Sequence, residues 1–177
     1  CVLNISEAAN NEDEDEIHHW GKEGVEIAEK TGLKSIVSTV YLAYGSAFYQ
    51  LKKFKGALRL YEKAEEEAIA GLENEDIAVP AVLLQCYNFQ AATYLYTKKH
   101  KEAREYFLKA SEEALSQKNY AMYMEAQRQA SVMSEKLYDT ETAYKLIEET
   151  FETCKEHDKL NLKFTSMYLI SMKYHEF

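Results

Sequence analysis

Apolar side chains along this chain recur at three- and four-residue steps, the spacing that gathers them on one helix face, and short polar clusters interrupt them. Eight helices are predicted from that pattern. They are Asp13–Lys30, Leu33–Leu51, Phe54–Ala70, a fourth with Pro80 near its start and its end at Thr97, His100–Ser116, Asn119–Leu137, Thr140–His157 and Lys159–Tyr174. Residues Cys1–Asn10 read as the tail of a further helix, followed by an acidic run from Glu12 to Glu16. Gly32 suits the left-handed residue past a helix end, and proline is tolerated in a first helical turn. Connections of two to four residues, which force antiparallel neighbours, are expected everywhere except around Gly71–Val79.

A second, longer pattern overlies the first. Tyr41, Tyr44, Gly45 and Phe48 are followed by Ala57, Tyr61 and Ala64. The same offsets give Tyr87, Gln90, Ala91 and Tyr94, then Ala103, Phe107 and Ala110. They give Gln127, Ala130, Ser131 and Ser134, then Ala143, Ile147 and Thr150, and a partial copy reads Met167, Ile170, Ser171 and Tyr174. Alternating bulk and small side chains is what paired antiparallel helices need if their backbones are to approach closely and stack on the next pair. Ala57, Ala103 and Ala143 are separated by 46 and 40 residues, so the first interval is longer by six, and the surplus falls after Gly71. Gly21, Val25 and Ala28 fit an earlier unit, 36 residues before Ala57, Tyr61 and Ala64. Either the ends are capping helices or the chain is a piece of a longer array, with a larger parent chain; the second is the expectation.

These residues resemble the tetratricopeptide repeat. The family's small eighth-position residue corresponds to Gly45, Ala91, Ser131 and Ser171, and its small twentieth-position residue to Ala57, Ala103 and Ala143. The repeat is usually 34 residues long, and the 40-residue step here is similar to longer-helix variants of the family. The resemblance implies an all-α, right-handed α-solenoid of antiparallel helix pairs, a superhelix of about eight helices. It would form one helical-repeat domain over residues 1–177, with units near 38–72, 84–117 and 124–157 and partial units near 10–32 and 164–177. The first helix of each pair would line a concave groove. Carried over position by position, the groove would receive Thr39, Leu42, Ser46 and Tyr49, then Gln85, Asn88, Phe89, Ala92, Leu95 and Tyr96. Further along it would receive Glu125, Arg128, Gln129, Val132 and Glu135, and finally Thr165, Tyr168, Leu169 and Met172. Family members that clamp the terminal carboxylate of chaperone tails carry Lys, Asn and Arg at fixed groove positions. Those positions hold Leu42, Ser46, Phe89, Glu125 and Gln129 here, so that use is not expected.

Charge narrows the partners. The chain has 21 basic and 30 acidic residues among 177, a formal net charge of −9. Such a chain repels phosphate backbones unless its cations cluster, so nucleic acid is not an expected partner. The longest apolar runs, such as Ile77–Leu84, fall far short of the roughly 20 residues a membrane span requires, so no membrane insertion is expected. Glutamates at 62, 65, 66, 67, 112, 113, 148, 149 and 152 read as a solvated outer face of the second helices. Lys52, Lys53 and Lys55 align with Lys98, Lys99 and Lys101 at the C-terminal ends of first helices, where cations complement exposed carbonyls. The alternative is a basic stripe that docks an acidic partner; Asp139 and Glu141 break it in the third unit.

Candidate chemistry is sparse. Cys1, Cys86 and Cys154 are far apart and read as reduced, partly buried thiols of a cytoplasmic protein. Glu14/His18 and Asp15/His19 each share a helix face, but adjacent histidines diverge by about 100°, so no metal site is expected. No histidine neighbours a nucleophile in a recognisable motif and there is no glycine-rich phosphate loop, so neither catalysis nor a cofactor is expected. Tyr41, Tyr44, Tyr61, Tyr87 and Tyr94 read as core, whereas Tyr49, Phe89, Tyr96 and Tyr168 are candidate groove aromatics. The functional expectation is a non-catalytic scaffold that binds a peptide or protein segment. Its alternatives are a sensor region of a larger protein, controlled by a peptide or internal segment, and a secretion chaperone.

Overall fold

The computed structural model describes residues 1–73 and 76–157. Among these the chain is all-α, with eight helices and no strand. The helices are α1 (Val2–Asn10), α2 (Glu14–Glu29), α3 (Lys34–Gln50), α4 (Phe54–Leu72), α5 (Val79–Tyr96), α6 (His100–Ser116), α7 (Tyr120–Lys136) and α8 (Thr140–His157). The helix predicted at Lys159–Tyr174 lies outside the described residues. The chain divides into two compact units, Cys1–Lys99 and His100–Phe177.

Sequence dictates the helix ends in two ways. At the starts, the Asp13 carboxylate accepts from the Glu16 amide at 3.0 Å and the Asn119 side chain accepts from the Met122 amide at 3.3 Å. Each such cap satisfies an amide with no partner inside the helix and is worth about 1 kcal/mol. Pro80 sits in the first turn of α5, where its missing N–H costs nothing. At the ends, five corners share one geometry: Glu12, Lys52, Lys98, Lys118 and Tyr138 all have φ between 55° and 61°. In each, that residue's N–H bonds the carbonyl three back, and the next residue's N–H bonds the carbonyl five back from itself. At Lys52 the pair is Lys52 N–H to Tyr49 O and Lys53 N–H to Phe48 O, both 2.9 Å. This is the Schellman motif, here built without glycine. Gly32, at φ 72°, is the glycine corner, and there the Thr31 hydroxyl caps Ala28 O at 2.6 Å.

In the first unit, α1 packs on α2 and α3, and α3 also packs on α2, α4 and α5. Enclosed on so many sides, α3 buries nine residues, whereas α4 buries five along one stripe. The core gathers Ile5, Ile17, Leu42, Tyr44, Phe48, Ala57, Tyr61 and Cys86. Backbones approach where the side chains are small. The Ser38 hydroxyl on α3 donates to Ala64 O on α4 at 2.6 Å. A Cβ at Gly45 would stand 3.3 Å from Ala57 O. The second unit repeats that approach twelve residues apart in sequence: the Ser131 hydroxyl on α7 donates to Ala143 O on α8 at 3.2 Å.

Polar contacts tie the helices further. Lys34 on α3 pairs with Glu67 on α4 at 2.5 Å, and Gln90 on α5 donates to Glu65 at 2.6 Å. Two of the glutamates expected on a merely solvated face therefore hold neighbouring helices. In the second unit Arg104 on α6 reaches Asp139 at 2.8 Å and the Ser134 hydroxyl at 3.3 Å, both at the α7–α8 corner. Asp76 performs the same service for the long connection. Its carboxylate accepts from the amides of Ser35 (3.0 Å) and Ala78 (3.1 Å), fixing the chain ahead of α5 against the start of α3. Of the expected core tyrosines, Tyr44 and Tyr61 are buried, while Tyr41, Tyr87 and Tyr94 are half-buried. Among the described residues no helix is long and apolar enough to cross a membrane.

Candidate functional site

Ten of the residues expected to line a groove lie in the first unit, on α3 and α5, which pack together. Leu42 is not open to a ligand: it is 3 % exposed and belongs to the core, because its position on α3 faces inward among Tyr44, Ala57 and Tyr61. Ser46 is half-buried; its hydroxyl donates to Leu42 O at 2.9 Å and lies 3.4 Å from the Tyr61 hydroxyl. Gln85 is exposed, and Asn88 and Ala92 are half-buried.

The aromatic residues form a defined arrangement. Phe89, 38 % exposed, stacks on Tyr61 with centroids 5.4 Å apart and ring planes 19° apart. Tyr61 is itself fully buried, so Phe89 rests on a fixed support. About two turns on, Tyr96 is 56 % exposed and lies against Phe54, 4.8 Å between centroids. Tyr49 meets Phe54 edge-on at 5.5 Å and Tyr96 at 6.1 Å. Three helices thus contribute to one aromatic surface, held by edge and stacking contacts each worth roughly 0.5–1.5 kcal/mol beyond burial. Phe54 is not among the groove residues that the repeat pattern predicts, although it opens the helix predicted at Phe54–Ala70. It opens α4 directly after the left-handed corner at Lys52, where no helical periodicity has yet built up to mark it.

In the second unit Arg128 and Gln129 do not stand apart as ligand donors. Arg128 Nε donates to Glu125 at 2.8 Å, a second guanidinium nitrogen bonds the same carboxylate, and Gln129 Nε2 donates to it at 2.9 Å. The Arg128 guanidinium holds the Glu125 carboxyl below the usual range. Tyr168 lies outside the described residues.

Next to the aromatic surface, at the α3–α4 corner, is an open cleft of about 440 Å³ walled by Lys52, Lys53, Lys55 and Lys99 over Phe54 and Leu58. Lys53 pairs with Glu14 of α2, and Lys99 lies 5.7 Å from the centre of the Tyr94 ring.

The amino-terminal histidines both make aromatic contacts. The His18 ring bonds the Tyr44 hydroxyl and lies edge-on to Phe48, and His19 lies edge-on to Trp20. Among the described residues no group of three or more His, Cys, Asp or Glu side chains is placed to hold a metal ion. Cys86 and Cys154 are buried and Cys1 is exposed, all as free thiols. Burial pushes the Cys86 thiol up to about 12, which keeps it protonated and poorly nucleophilic.

The chain matches no family model and no curated protein.

Proposed function

We propose that this chain is a non-catalytic helical-repeat scaffold of the tetratricopeptide type, which binds a peptide or protein segment along its first helices. The observation that carries the reading is the aromatic surface of Tyr49, Phe54, Phe89 and Tyr96, in which the exposed Phe89 rests on buried Tyr61 and the exposed Tyr96 lies against half-buried Phe54 and Tyr49. Large rings left in water but held rigidly lose little entropy when a ligand covers them, which is how binding anchors act. Gln85 and Asn88 beside them supply donors and acceptors for an extended backbone. The repeated close approach at Gly45–Ala57 and Ser131–Ala143 supports stacked helix pairs and hence a solenoid.

The test is affinity capture followed by titration calorimetry on the identified segment, comparing wild type with Gln85→Ala/Phe89→Ala. The reading expects the variant to keep its helical circular dichroism and lose binding at least tenfold. Unchanged affinity in a folded variant would refute it.

A further inference from the structure

We propose that the lysine-walled cleft at the α3–α4 corner is a docking site for a short acidic peptide segment that carries an apolar side chain. The proposal rests on the reading of the chain as a peptide-binding scaffold and names the chemistry of its partner.

Three observations point there. First, in a chain of net charge −9, four lysines line one cleft, Lys53 with its ammonium paired to Glu14 and Lys99 with its ammonium by the Tyr94 ring, and none of the described residues lining the cleft is acidic. Second, those lysines are not needed to finish the helix. The carbonyls of Phe48 and Tyr49 already accept the backbone amides of Lys53 and Lys52, and those of Tyr94 and Leu95 accept Lys99 and Lys98. Third, the floor is apolar. Phe54 and Leu58 line it, and Phe54 is the same ring that supports Tyr96 and Tyr49, so the cleft continues into the aromatic surface. A cation rim over an apolar floor complements carboxylates flanking an aromatic or aliphatic side chain. The volume suits a few side chains rather than a phosphate lattice, and the excess acidity of the chain opposes an extended anionic surface such as a membrane or a nucleic acid.

The experiment uses the whole chain and a blocked, fluorescein-labelled hexapeptide of four glutamates flanking a phenylalanine and a leucine. Its companions are the same peptide with glutamines for glutamates and vesicles containing phosphatidylserine. Anisotropy is read at about 0.05 M ionic strength, where surface charges are little screened. Binding of the acidic peptide is expected, at least about tenfold weaker for the glutamine peptide and for Lys55→Glu/Lys99→Glu, with Lys55→Gln/Lys99→Gln intermediate. Equal binding by wild type and the charge-reversed variant would overturn the proposal. So would preference for the vesicles, or self-association in sedimentation that the charge reversal abolishes. Loss of the captured partner in Gln85→Ala/Phe89→Ala but not in Lys55→Glu/Lys99→Glu would overturn the cleft and leave the scaffold reading standing. The reverse pattern would keep the cleft and refute the groove.

Discussion

The backbone of Gly45 on α3 lies directly against the ring of Tyr61 on α4: a Cβ added to the glycine would come within 2.5 Å of the ring's Cε1. Tyr61 is fully buried, lies near Ser46 through its hydroxyl and stacks under Phe89, so the ring cannot step aside. Gly45→Ala would gain about 1 kcal/mol of helix propensity and lose about 1–3 kcal/mol to overpacking. Net destabilisation is expected, read as a lower thermal midpoint. In Gly45→Ala/Tyr61→Leu the loss should be smaller than the sum of the single losses; strict additivity would show that the two residues do not compete for one space.

Tyr138 occupies a left-handed corner at φ 58° and is 95 % exposed. Its side chain loses nothing on removal, while a β-carbon there costs about 1–2 kcal/mol. Part of that gain is offset by the greater freedom of glycine in the unfolded chain. Tyr138→Gly should therefore stabilise by roughly 0.5–1 kcal/mol, a rise of about 1–4 °C in the thermal midpoint. A fall in the midpoint would contradict this account of the corner.

Asp76 is held below its ordinary value of 3.8, first by its hydrogen bonds from Ser35 and then by that from the Ala78 amide. A carboxylate with a lowered folded-state value contributes stability that is present above the unfolded value and lost as pH falls through the folded one. Stability should thus decline below about pH 4, partly on account of Asp76. Asp76→Asn keeps an acceptor for only one of the two amides and is therefore less stable at neutral pH, but it cannot titrate, so its stability should fall less steeply in acid than that of wild type. Urea midpoints measured from pH 6 down to pH 3 would reveal the difference, and parallel curves would remove Asp76 from the account.

Thiol chemistry should separate the cysteines. Cys1 is exposed and should react with an aromatic disulfide reagent within minutes at pH 8. Cys86 is buried, with its thiol pushed up to about 12, and Cys154 is buried as well. Both should react only as the protein unfolds. Rapid native reaction of two or more thiols per chain would show that burial does not protect them.

Much of the helical layout was legible because it rests on short-range rules. Repeated apolar spacing located α2 to α8 to within a few residues, and the small residues at Gly45 and Ala57 marked a real backbone approach. Corners were less legible: glycine flagged Gly32, but the other five left-handed residues are Glu, Lys or Tyr, whose types carry no such signal. Polar ties were invisible for a different reason. Ser35 and Asp76 lie 41 residues apart, and Arg104 and Asp139 lie 35 apart, so only folding brings them together. The same holds for Phe54, whose place in the aromatic surface depends on Tyr96 of another helix.

The Schellman corners have a kinetic consequence. Each is closed by bonds spanning three and five positions, within reach of a chain that has formed nothing else. Loop closure over so few residues is entropically cheap. Bends can be committed before any distant group arrives, so nucleation can start at several corners and spread outward, and local contacts of this kind are the ones that speed folding.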